Sequence, residues 1–155
     1  LEFAAGDPAQ ALRLATEALE IHVRGKNATN AAIGYNNIAA YRIALGDVTG
    51  ARDSAREGLR LAGQIQDEQW AAIALQHLAL LAALGGDPRR GAQLVGHVNA
   101  LFDQIGTQRQ STEQWGYDKL LDTLRDKLSE EEIERLRAGG TAWSADQAIE
   151  EALQV

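Results

Sequence analysis

Gly6-Asp7, Gly46-Asp47 and Gly86-Asp87 recur at one fixed interval, and that interval constrains the fold more than any other feature of the chain. The register extends beyond the dipeptide. The same step pairs Ala11 with Ala51, Ala15 with Ala55, Leu19 with Leu59, Ala31 with Ala71 and Ile33 with Ile73. It also pairs Ala39 with Ala79, Leu61 with Leu101, Gln64 with Gln104 and Ile65 with Ile105. Self-similarity at a fixed period of this size marks a stacked array of supersecondary units, none of which can bury its apolar face alone.

Each Gly-Asp pair reads as a helix stop followed by a helix start. Glycine takes the left-handed conformation that ends one helix, and aspartate caps the free amides that open the next. Pro8 and Pro88 follow in the first helical position, where a missing N–H costs nothing. The predicted helices are about 8–23, 28–45, 48–65, 68–84 and 88–105. Register fails after Gly106. Beyond it the pattern predicts a helix over 111–128, a short one opened by the capping box Ser129 to Glu132 and ended at Gly139-Gly140, and a last one from Ser144 to about Leu153. The expectation is an all-α chain with repeats over 1–106, the first truncated and 27–66 and 67–106 more complete. Residues 107–155 then form a divergent helical cap of the same domain, as an array's open end requires.

Composition agrees with close helix packing. Apolar residues make up 45% of the 155, only eight of them aromatic, and alanine and leucine dominate. There is no cysteine, hence no disulfide and no thiolate ligand or nucleophile. The longest apolar run, Leu78 to Leu84, is too short to cross a bilayer. A net charge of −7 argues against a broad polyanion-binding surface. Arg89-Arg90 is the densest basic spot and reads as a solvated helix start. With no methionine, the chain opens on Leu1-Glu2-Phe3-Ala4-Ala5-Gly6, which reads as the last turn of a helix begun upstream. It is therefore expected to be a C-terminal piece of a longer protein.

From Tyr35-Asn36-Asn37-Ile38-Ala39 through Gly46-Asp47 to Ala51 and Leu59, the chain resembles a tetratricopeptide repeat. Ala39 and Ala51 stand where that family brings two helices close. The next repeat carries Leu75, Leu78, Ala79, Gly86 and Gly91 in the corresponding places. The period, about 40 residues, departs from the family's usual length of about 34 residues. No proline closes either repeat. The longer period is similar to that in the arrays of bacterial regulators resembling the maltose-regulon activator. Asp67-Glu68-Gln69-Trp70-Ala71, Ala92-Gln93-Leu94-Val95-Gly96 and the tail with Trp143-Ser144 resemble the C-terminal end of large bacterial signal-transduction ATPases, some with a LuxR-type DNA-binding domain. The resemblance implies a right-handed α-α superhelix and a cytoplasmic, regulatory, non-catalytic role in binding a protein, a peptide or other domains of the parent.

Chemistry is sparse. His22, His77 and His97 lack partners at zinc-site spacing. Glu130-Glu131-Glu132 opens a helix, where the macrodipole favours negative charge, and Glu150-Glu151 reads as a solvated face. No nucleophile elbow or phosphate loop occurs. Neither a cofactor nor a metal is expected, nor direct nucleic-acid or membrane binding. A helical enzyme would need convergent titratable groups, which the sequence does not offer.

The remaining candidate is the concave face, expected to be lined by Ile33, Asn36, Asn37, Ala40 and Ile43, then by Ile73, Gln76, His77 and Leu80. Its mixture of apolar and amide groups suits a helix or extended peptide, and a neighbouring domain equally. Ala11, Ala39, Ala51 and Ala79, with Gly46 and Gly86, are read as packing devices. Ala51→Leu should overpack a helix crossing and cost roughly 1–3 kcal/mol, visible as a lowered melting temperature. The first helix is expected to leave apolar surface bare around Leu12, Leu14 and Leu19, with some self-association as the result.

Overall fold

The computed structural model describes residues 6–155, so the reading of 1–5 as a final helical turn lies outside the described residues. Among the described residues, eight helices follow one another: α1 (Pro8–Arg24), α2 (Ala28–Leu45), α3 (Val48–Gln64), α4 (Glu68–Leu84), α5 (Pro88–Ile105), α6 (Ser111–Lys127), α7 (Glu130–Thr141) and α8 (Ala145–Ala152). No strand occurs among them. Through α5, each helix packs against the next, so the chain is an all-α stack of consecutive hairpins.

The turns share one local design at half the interval visible in the sequence. Left-handed residues fall, evenly spaced, at Gly6, Lys26, Gly46, Gln66, Gly86 and Gly106. The first five are each followed by an Asx residue whose side-chain oxygen accepts a backbone N–H three residues on. These are Asp7 from Gln10 (2.9 Å), Asn27 from Asn30 (3.0 Å), Asp47 from Gly50 (2.9 Å), Asp67 from Trp70 (3.0 Å) and Asp87 from Arg90 (3.1 Å). One orphan amide of each helix start is thereby satisfied. The repeating unit is a single helix with its turn. Lys26 and Gln66 hold the left-handed position at a steric cost that glycine avoids, which hides the inner period from a sequence reading.

Small residues set the spacing. Ala39, Ala51 and Ala79 are wholly buried and Ala11 nearly so, where helices cross. Helix α4 is buried on every side from Ala72 to Ala83, because α2, α3, α5, α6 and α8 all lie against it. A helix so enclosed is apolar all round rather than on one stripe.

The cap departs from expectation at one point. Helix α7 does not end at Gly139-Gly140 but runs on to Thr141. A methyl group on Gly140 would overlap the Gln93 main-chain carbonyl of α5, and one on Gly96 would overlap the Arg137 carbonyl of α7. The two glycines permit backbone-to-backbone contact; Gly140 is a packing residue within the helix, not a stop signal. Arg89 and Arg90 also do more than open a helix. Arg89 pairs with Glu132 of α7 (3.0 Å), and Arg90 with Asp87 (2.7 Å) and with Glu151 of α8 (3.2 Å), so the basic spot is neutralised by the cap.

Candidate interaction surface

The concave lining expected from the sequence is largely not a surface. Asn36, Ala40 and Ile43 of α2 and Ile73, Gln76, His77 and Leu80 of α4 are buried; only Ile33 and Asn37 keep partial exposure. Asn36 is enclosed by α3 and α4, against Gly58 and the Trp70 carbonyl, and Gln76 is covered by α6. After Gly106 the chain leaves register, folds back and lays α6 over α4, with Leu120 and Leu124 completing the core. Ile33 and Asn37 line a shallow cleft of about 220 Å³ with Ala15, Leu19 and His22 of α1.

Under α6 the polar groups are tied to protein. Gln76 donates through Nε2 to the Glu113 carbonyl (2.8 Å) and accepts through Oε1 from Arg109 Nε (2.6 Å). Arg109 also donates to Asn99 Oδ1 (2.7 Å). Its guanidinium lies 4.5 Å from the Phe102 ring centroid and 4.0 Å from that of Tyr117, in cation–π range. Burial lowers its pKa. Arg109 thus fastens the α5–α6 loop onto α4. Nothing in the sequence marks Arg109 except its place in the first polar loop out of register. Arg109→Met should strand the Gln76 and Asn99 oxygens and cost about 2 kcal/mol, read as a lowered urea midpoint.

Among the described residues three buried titratable side chains remain. His77 hydrogen-bonds the Asn36 backbone, and burial, the larger influence, lowers its pKa to about 4. His97 is lowered for the same reason while bonding the Trp143 backbone, and its Nε2 has no partner. Glu113 is buried with Oε2 unpaired. None is part of a cluster suited to a metal; among the described residues no group of three or more His, Asp or Glu could hold an ion. His22 stays near the surface beside α2. No helix among the described residues is long and apolar enough to cross a membrane.

What remains open lies on the outside. Helices α3 and α8 border an apolar groove of about 550 Å³, walled by Leu59, Ile149 and Leu153 and rimmed by Asp53, Arg56 and Arg60. Arg56 holds the far end in place by donating to the Leu153 (3.1 Å) and Val155 (2.7 Å) carbonyls. On α1, Leu19 is only 9% exposed and Leu12 is partly buried, contrary to expectation, because both pack against α2. The bare large apolar side chains of α1 are Leu14, Ile21 and Val23.

This chain is similar to transcriptional regulators. Three proteins named "Putative HTH-type transcriptional regulator", one from Mycobacterium bovis and two from strains of Mycobacterium tuberculosis, are each 30% identical to it over 155 residues. The match takes in 96% of the chain but only 16% of each relative's length. No family model and no solved structure matches the chain.

Proposed function

We propose that the chain is a non-catalytic, tetratricopeptide-like module that makes protein contacts inside a larger transcriptional regulator. What carries the reading is the proportion of the match. Nearly all of this chain corresponds to about a sixth of proteins named as regulators, and that sixth is a continuous stack of hairpins. Extended helical stacks present long surfaces and transmit small rotations between neighbours, which suits contact between domains. In this reading 1–106 form the array and 107–155 cap it, and the output chemistry belongs to other parts of the regulator.

The helix-turn-helix in the relatives' names is assigned to those other parts. A net charge of −7 opposes the counterion release that drives non-specific DNA binding, and Arg89 and Arg90 are already paired with acidic side chains. The buried imidazoles are bonded to main chain rather than to a substrate pocket, in keeping with a role without catalysis. The test has two arms. In a mobility-shift assay at low salt the chain alone should not retard its parent's promoter DNA, whereas the remainder of the parent should bind the immobilised chain saturably. Retention of DNA by this chain, with no binding of the parent's other domains, would reverse the assignment.

A further inference from the structure

We infer that the polar cleft between α5, the α5–α6 loop, α6 and α7 is a binding site for a small organic anion, one carrying a carboxylate or a phosphate. The cleft, of about 490 Å³, opens between Asn99, Phe102 and Asp103 of α5, Arg109 of the loop, Tyr117 of α6 and Arg137 of α7. That is the size of a small-molecule site. A second cleft of about 280 Å³ adjoins it, sharing Asn99, Asp103 and Arg137.

The charge of the cleft is the reverse of the chain's. The whole chain carries −7, yet two guanidinium groups and one carboxylate line the larger cleft. Among the described residues, neither guanidinium forms an ion pair with Asp103. The Arg109 bonds go to neutral amide oxygens, those of Gln76 and Asn99. Arg137 pairs with Glu134 at 3.5 Å, and the Glu134 side chain is 70% exposed. A pair so open to water is worth little and exchanges readily.

The donors are held in place before any ligand arrives. Arg109 gives Nε to Gln76 Oε1 (2.6 Å) and Nη2 to Asn99 Oδ1 (2.7 Å), leaving Nη1 with no acceptor among the described residues. Asn99 Nδ2 in turn donates to the Tyr117 hydroxyl (3.3 Å), whose own proton is left to donate into the cleft. The Phe102 and Tyr117 ring centroids, 4.5 and 4.0 Å from the Arg109 guanidinium, keep it half-buried. Arg137 is placed by the contact of its main chain with Gly96 of α5. Burial is the main influence lowering the Arg109 pKa, and the Arg137 charge adds to it, while Tyr117, Asp103 and Asp118 act the other way. An anion held by both guanidinium groups relieves their repulsion, and their N–H forks match the oxygens of a carboxylate or phosphate.

The same walls turn away larger occupants. Asp103 and Glu134 line the clefts, and Asp118 is bonded to Gln114 beside them (2.8 Å); these carboxylates oppose a polyanion such as nucleic acid. The large apolar groups of the cleft are Phe102 and Tyr117, both already engaged by Arg109. No apolar pocket is left there for the side chains of a bound peptide. A short polar molecule with one anionic group meets both limits.

The test titrates nitrogen-15-labelled chain with inorganic phosphate and, separately, with succinate, each against sodium chloride at matched ionic strength. The NMR signal of the Arg109 Nε–H should shift saturably with at least one of the two anions, with a Kd of about 1 mM. A response to phosphate alone identifies a phosphorylated ligand, to succinate alone a carboxylate, and to both the oxyanion chemistry they share. Arg137→Gln should weaken binding about tenfold or more by removing a charge-assisted hydrogen bond. Tyr117→Phe, which keeps the ring, should weaken it about threefold. Arg13→Gln, on exposed α1, should leave it unchanged. No saturable shift beyond the chloride control would overturn the inference, and so would an equal loss of binding in Arg13→Gln. A shift seen only when the parent's other domains are added would also overturn it, by assigning the cleft to an acidic segment of those domains. The inference goes beyond the proposed function, and its failure leaves the DNA and domain-binding assays unaffected.

Discussion

Gly140→Ala is expected to lower stability by about 3 kcal/mol, although alanine is the better helix former by roughly 1 kcal/mol. The added methyl would meet the Gln93 carbonyl, a main-chain group on α5 that cannot rotate away. Gly96→Ala should cost a similar amount by meeting the Arg137 carbonyl from the opposite side. Relief requires α7 to move off α5. Once it has moved, the second substitution has little left to disrupt, so the double variant should lose much less than the sum. Urea unfolding of the two single variants and the double variant measures this directly. Full additivity, or a Gly140→Ala variant as stable as the parent, would show that the two backbones are not in contact. Gly139→Ala is the control, since nothing lies near its added methyl, and it should be neutral or slightly stabilising.

The second large effect is a loss of stability between pH 7.5 and 5. Burial lowers the His77 pKa from 6.5 to about 4, so over that interval the unfolded chain binds a proton that the folded chain refuses. Stability must then fall as pH falls, by about 2 kcal/mol at pH 5. His97, also lowered by burial, acts in the same direction. Glu57 does not confound the measurement. The Arg60 hydrogen bond holds its carboxyl below the ordinary value of 4.5, so its contribution is present above that value and lost only in stronger acid. Urea midpoints at pH 7.5, 6 and 5 should decline for the natural chain, and the decline should be shallower in His77→Gln. Equal slopes in the two proteins would mean that His77 is accessible to protons in the fold.

How much of this was legible depended on whether the determining interaction was local. The eight helices and most of their ends could be read from short-range chemistry, because a cap needs only a side chain and an amide three residues away, as at Asp47 and Gly50. The Gly-Asp spacing likewise exposed the hairpin order. Half of the period escaped notice, because Lys26 and Gln66 take a left-handed conformation that glycine usually announces. The end of α7 was misplaced because a glycine pair that stops one helix is chemically the same as one that lets two helices touch; only the presence of α5 distinguishes them.

The candidate surface shows the same division more sharply. The pattern on α2 and α4 marks residues most of which are buried, yet it carries no information on what buries them. Sequence alone determined the all-α class, the hairpin register and the turn chemistry, all of which follow from neighbours a few residues apart. Tertiary structure alone decided that α6 lies over Gln76, that Arg109 fastens its loop there, and that the large apolar side chains α1 leaves bare are Leu14, Ile21 and Val23. Those outcomes depend on long-range packing of the one segment that left the repeat, where no internal copy remained to indicate its partner.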